Sequence, residues 1–262
     1  MRNVVSLSLW VCLSIGAGNS GPLAADEKTK DSKDDNANVK SIIDKAIAAH
    51  GGESKIAKLK TATIKVQGKQ TVPGQGDVTC TLEDSWQLPN QYRTQIALEV
   101  KGMTLTQLLI LNGEKGWISL NKFSQEMDPK MVAEMKEQLY AETLDKLFPL
   151  RDKGYELSSL GETKINEKDA LGIKVSSQGH KDVSLYFDKA TGLCVKRAHR
   201  ILDSSGKEVL QEVVFSDFKD VDGVKHFQKI TAFRNGQKMI EGEVTELKFF
   251  DKLEEKLFAK PE

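Results

Sequence analysis

The feature that most constrains this chain is a period of two in its hydropathy, which starts at Thr61 and recurs almost to the C-terminus. The clearest stretch sets Tyr92, Thr94, Ile96, Leu98 and Val100 against Arg93, Gln95, Ala97, Glu99 and Lys101. Ile64 and Val66 alternate with Thr63, Lys65 and Gln67, and Val78, Cys80, Leu82 and Trp86 with Thr79, Thr81, Glu83 and Ser85. Successive side chains of a strand point to opposite faces. Each run therefore has one apolar and one wet face, the mark of an antiparallel sheet covered on one side only. Pro73-Gly74, Pro89-Asn90, Asn112-Gly113 and Asn121 separate the runs as turns.

The second half repeats the pattern. Candidate strands are 155–165, 170–177, 183–187, 193–202, 209–218, 225–234 and 239–249. Asn166-Glu167, Gln178-Gly179, Thr191-Gly192, Ser205-Gly206, Asp222-Gly223 and Asn235-Gly236 divide them. Such spacing predicts a meander in which successive strands are neighbours. A parallel sheet is disfavoured, because no strand–helix–strand rhythm runs through the chain.

Two segments break the alternation. Val39, Ile42, Ile43, Ala46 and Ile47 form a helical stripe, with Asn38 placed to cap it and Gly51-Gly52 to stop it. Ser54 to Leu59 add a short turn with Ile56 and Leu59 inward. Between the strand sets, 128–147 reads as an amphipathic helix. Asp128 is its N-cap, Pro129 its first residue, and Met131, Met135 and Leu139 step along one face. A last helical turn is expected over 252–258.

A long sheet with one apolar face must curl or be covered. The expected architecture is therefore α+β: a mostly antiparallel, unclosed half β-barrel of about ten strands. An N-terminal helix and a mid-chain helical lid lie across its mouth, leaving an apolar space beneath. Residues 39–262 form this single domain.

Ahead of it, residues 1–25 read as a signal peptide. Arg2 is the sole charge before Asp26, and the apolar run from Val4 to Ala17 is short of the about 20 residues that span a bilayer. Ala24-Ala25 and Gly16-Ala17-Gly18 offer cleavage points. Cys12 is a poor lipidation site, since bulky Trp10 and Val11 precede it where a small residue is needed. Residues 26–38 carry charge and almost nothing apolar, so a flexible linker is expected there. Cleavage leaves Cys80 and Cys194, which stand either as separate buried thiols or as an oxidised pair.

Composition excludes several function classes. Lys+Arg 38 balances Asp+Glu 38, so no basic field for nucleic acid exists. His50, His180, His199 and His226 lack the ligand spacing of a metal motif. No G-x-S-x-G elbow, P-loop or G-x-G-x-x-G occurs. Carboxylate pairs such as Asp34-Asp35 and Glu254-Glu255 sit in charged surroundings and read as solvated surface. Neither an enzyme nor a cofactor is expected.

In layout the chain resembles the LolA/LolB-like superfamily of periplasmic lipoprotein carriers and outer-membrane lipoprotein-sorting proteins. The resemblance is carried by IIDKAIAAHGG with KIAKLKTATIKVQGK, by LLILNGEKGWIS, by DVSLYFDKATGLCVKRAHR and by the tail EVTELKFFDKLEEKLFAKPE. It covers roughly 39–260. It implies an unclosed barrel with helices as a lid and an apolar cavity for acyl chains. It also credits an Arg with lid control, and Arg93 is the only Arg of the first strand set.

Acyl chains need apolar area rather than reactive groups, at about 0.8 kcal/mol per buried CH₂. The inward faces expected to supply it hold Trp86, Ile96, Leu98, Met103, Leu105, Leu109, Leu111 and Trp117 in the first half. Val183, Leu185, Phe187, Val213 and Phe215 follow in the second, with Met131, Met135 and Leu139 from the lid. The function expected is binding of lipid or lipoprotein acyl chains by an exported, soluble monomer, with a membrane-bound donor or acceptor as partner. The alternative is an extracytoplasmic interaction or scaffold module with a filled core.

Overall fold

A computed structural model describes residues 33–261 apart from Ser204. The signal-peptide reading and the first part of the linker lie outside the described residues. Helix α1 covers Lys33–Ala49, so it begins ahead of the expected cap at Asn38. Once the apolar stripe has nucleated a helix, polar residues extend it at little cost, one hydrogen bond per residue fixed. A short α2 (Glu53–Ile56) and a 3₁₀ turn (Ala57–Lys60) follow, and Ile56 and Leu59 are buried as their spacing implies.

The strands come in two sets. The first comprises β1 (Thr61–Val72), β2 (Gly76–Gln87), β3 (Gln91–Val100), β4 (Met103–Asn112), β5 (Lys115–Leu120) and β6 (Phe123–Glu126). Helix α3 (Pro129–Leu144) and a 3₁₀ turn (Phe148–Arg151) interrupt. Strands β7 (Glu156–Ile165), β8 (Lys168–Ser176), β9 (Val183–Asp188), β10 (Cys194–Leu202) and β11 (Glu208–Ser216) continue. A ribbon of β12 (Lys219–Val221) and β13 (Val224–His226) precedes β14 (Lys229–Arg234) and β15 (Gln237–Phe249).

Thirteen strands form one antiparallel sheet in the order β6-β5-β4-β3-β2-β1-β15-β14-β11-β10-β9-β8-β7, and β12-β13 stand apart. The sheet is unclosed, with β6 and β7 as its edges. The expected half-barrel is what forms, with more strands than counted from sequence. The meander holds inside each set, but the last strand returns to pair with the first, β1 against β15. At this seam Gly68 faces Gly242. A Cβ on Gly68 would meet the Glu241 carbonyl oxygen at 2.0 Å, so the two backbones approach as closely as only glycine allows.

The chain leaves one sheet edge at Glu126 and joins the other at Glu156, so α3 spans the opening between them. Its start is built as the sequence implies: Asp128 Oδ1 accepts a hydrogen bond from the Met131 backbone N–H at 2.9 Å. Val132, Met135 and Leu139 of α3 bury against β1–β5 with Ala62, Trp86, Leu109 and Ile118. Ala141 and Leu144, further along, join α1 and the β8–β9 pair around Ile173, Val175 and Leu185. The C-terminal 3₁₀ turn (Glu255–Phe258) covers the convex face, where Phe258 and Leu253 pack on Ile110. Cys80 and Cys194 are both buried free thiols.

Candidate functional site

Strand parity and register decide what faces the hollow. Ile64 and Val66 of β1 pair with Asp84 and Leu82 of β2, which places all four on the concave face with Trp86. From the second set, Gln211, Val213 and Phe215 of β11 pair with Arg234, Ala232 and Ile230 of β14, and Val213 also with Arg197 of β10. Between these walls lies a cavity of about 200 Å³. Its roof is the C-terminal end of α3 with Glu142, Asp145 and Lys146, and one side is closed by His226 of the β12–β13 ribbon with Phe218 and Phe227 that flank it. The ribbon is held by the turn that follows α1: the Lys225 backbone N–H donates to the His50 carbonyl oxygen at 3.1 Å.

Most of the lining is apolar, but one wall is charged. Arg197 is paired with Asp145 and stands 4.0 Å from Glu142, and both carboxylates belong to the α3 end. Lys146 lies 3.5 Å from Asp145 and 4.9 Å from the centre of the Trp86 ring. Further along α3, the Leu202 backbone N–H donates to Glu134 at 2.8 Å and the Lys181 backbone N–H to Glu137 at 3.1 Å. His180 sits 2.8 Å from Glu137 and stacks on Tyr140 with ring centroids 3.9 Å apart. So α3 packs apolar side chains against both strand sets, and a row of charged and polar contacts ties it to the second.

Burial moves the titrations inside. Asp84 is pushed up to about 7, first by desolvation and then by Glu142 across the cavity. Its Oδ1 is enclosed without a hydrogen-bond partner. His199, next to Arg197 on the concave face of β10, is drawn down to about 3 by burial and by Arg197 and Lys181. Neither of its ring nitrogens has a partner. Burial likewise lowers His226 to about 4, although Nδ1 lies 2.7 Å from the Phe227 carbonyl oxygen. Among the described residues, no group of three or more His, Cys, Asp or Glu could hold a metal ion.

The residues of the expected cavity set scatter. Trp86 and Phe215 line the cavity, as does Val213. Leu109, Leu111, Met135 and Leu139 are buried against one another beside it, with Met131 packed on their edge. Leu185 and Phe187, 0% and 1% exposed, are solid core under α1, together with Val183. Ile96 is buried and Leu98 half-buried nearer the strand ends, while Met103 and Leu105 are exposed at 62% and 38%. Trp117 faces the other way. Its partner is Ile110 rather than Leu109 or Leu111, so it lies on the convex side with Leu253 and Phe258. Arg93 also points to the convex face, bonded to Gln95 at 2.8 Å, and the arginine that touches the lid is Arg197. Alternation alone misses Asp84, Arg197 and the ribbon residues. An Asp on an otherwise apolar strand face, between Leu82 and Trp86, is the one signal that points to the first.

No family model and no curated protein matches the sequence. Solved structures do. A LolA superfamily protein from Nitrosomonas europaea superposes with a TM-score of 0.53 at 12% identity, covering 85% of this chain and 97% of that one. The fold is LolA-like. A DUF1329 family protein from Desulfovibrio piger matches to a similar degree, with a TM-score of 0.54 at 13% identity over 84% of this chain and 97% of its own. At such identities the likeness concerns the LolA-like architecture, and side chains must be judged on their own geometry.

Proposed function

We propose that the protein binds an acyl chain of a lipid or lipoprotein in the cavity under α3 and carries it through an extracytoplasmic compartment, without catalysis. The observation behind this reading is the hollow itself. Apolar side chains of both strand sets face a space of about 200 Å³, beside clusters of fully buried side chains such as Leu185 and Phe187. Native interiors leave few voids larger than a water molecule. Each methylene placed there gains about 0.8 kcal/mol. The volume falls below the roughly 300–1,000 Å³ of ordinary ligand pockets, so a full acyl chain requires α3 to lift off its ion pairs. The LolA-like fold and the apolar leader of residues 1–25 agree with an exported carrier. A monomer that meets a membrane-bound donor or acceptor completes the proposal.

The test is a titration of delipidated protein with a fluorescent fatty-acid analogue. Saturable binding is expected, with Trp86 emission changing as the chain passes its ring. Val213→Trp, which fills the cavity from β11, should weaken binding at least tenfold while the protein stays folded. Binding that ignores both Trp86 and Val213 would contradict the proposal.

A further inference from the structure

The charges that line the cavity do not cancel residue by residue. Arg197 and Lys146 lie against Asp145 and Glu142 at the α3 end, two cations for two carboxylates. Asp84 is left over. It sits opposite on β2, between Leu82 and Trp86, with Ile64 of β1 beside it in register. Tyr92 and Thr94 of β3 offer it hydroxyls, Glu142 faces it from α3, and Lys146 is the weakest influence on it. Its Oδ1 is enclosed and accepts no hydrogen bond. A buried acceptor left unmade costs about 1–3 kcal/mol, so such a group calls for a reason. A carboxyl turns easily about its last torsion, which lets either oxygen face the cavity.

We propose that Asp84 is the head-group subsite of this cavity, and that it selects amphiphiles whose polar end donates hydrogen bonds, an amine or a hydroxyl, over those that end in a carboxylate. This rests on the acyl-chain reading above and gives the ligand its polar end. A donor head satisfies the orphaned oxygen, and an ammonium also supplies the cation that Asp84 lacks. A carboxylate head meets Asp84 and Glu142 and finds Arg197 and Lys146 already engaged. Lys225, exposed on the ribbon at the cavity's edge, is the other cation within reach. Burial raises Asp84 toward neutrality, so the acid form can donate to a hydroxyl and the ionised form pairs with an amine.

The experiment compares laurylamine, lauryl alcohol and laurate below their micelle concentrations, by displacement of the fluorescent analogue from full-length protein. Wild type should bind the amine and the alcohol about tenfold more tightly than laurate, the weight of one charge-assisted hydrogen bond. Asp84→Asn, nearly isosteric, should close most of the gap between amine and laurate. Asp84→Leu should reverse the order of alcohol and laurate or level it, and thermal melting shows that each variant is folded. An order of preference unchanged by both substitutions overturns the proposal and places the head elsewhere, as at Lys225. If no lauryl compound binds wild type at all, the acyl-chain reading fails together with this one, an outcome distinct from binding without head-group preference.

Discussion

Asp84 shows how a single residue departs from the strand pattern and why that matters. Its folded value of about 7 stands above the ordinary 3.8. Between those values the native protein holds a proton that the unfolded chain has released, so stability falls as pH rises through that window and the loss is complete above about 7. Asp84→Asn should therefore stabilise the protein at pH 8 but hardly at pH 4, by up to about 4 kcal/mol. Urea unfolding at the two pH values measures it. Equal effects at both would mean that Asp84 stays ionised in the fold. His199 runs the opposite way. Its value drops from 6.5 to about 3, so its contribution is intact above 6.5 and is lost as pH falls toward 3. His199→Leu should remove that part of the acid-limb slope, read as melting temperature against pH. Neither shift was legible in the sequence, because the burial that leads both comes from the fold, with Glu142 of α3 brought to Asp84 and Lys181 to His199 across it. Parity was legible within one strand, as for Tyr92 and Ile96. It failed across the Asn112-Gly113 turn, where the pairing of Trp117 with Ile110 had to be known before its face could be assigned.

At the scale of elements, α3 is the part that joins the two halves. Its cap at Asp128 and its apolar steps could be read directly, since capping and helical spacing are local properties. Its ties to Arg197, Lys181 and His180 could not, because these residues lie over 40 positions away. Arg197 carries the charged tie at the α3 end, beside the buried Ala141 and Leu144. Removing it leaves Asp145 and Glu142 without their guanidinium in a largely buried site. Arg197→Met should cost about 3–5 kcal/mol, and Arg197→Met with Asp145→Leu should recover much of that. Amide exchange should also quicken in 141–146 of the single variant while 131–139 stay protected by their apolar contacts. Uniform exchange along α3 would show that the helix moves as one body without this anchor. The turns at Asn166-Glu167 and Asn235-Gly236 fell where their residues implied. The β12–β13 ribbon was hidden, because 209–218 and 225–234 each read as one unbroken strand. The break at Phe227-Gln228, which turns Phe227 into a cavity wall, has no local signal.

For the whole molecule, the decisive event is the return of β15 to β1. It joins two meanders into one curved sheet, and the curve creates the hollow that α3 roofs. Gly68→Ala, at the closest approach of this seam, should cost about 3 kcal/mol through overpacking against the Glu241 carbonyl, measured by chemical unfolding. A half-barrel with helical cover was foreseeable from alternation plus two amphipathic helices. The pairing of first strand with last was not, because antiparallel alternation is silent on which strand meets which. Nor could the sequence tell filled interior from empty. Leu185 and Phe215 have the same pattern around them, yet one is packed under α1 and the other faces open space. A carrier role therefore requires that space to be used. Native mass spectrometry of the protein recovered from cells without denaturation tests this most directly. It should show a fraction carrying the added mass of one acyl-chain lipid, released by organic extraction and restored by adding lipid back. A single bare mass, unchanged by any excess of lipid, would contradict it.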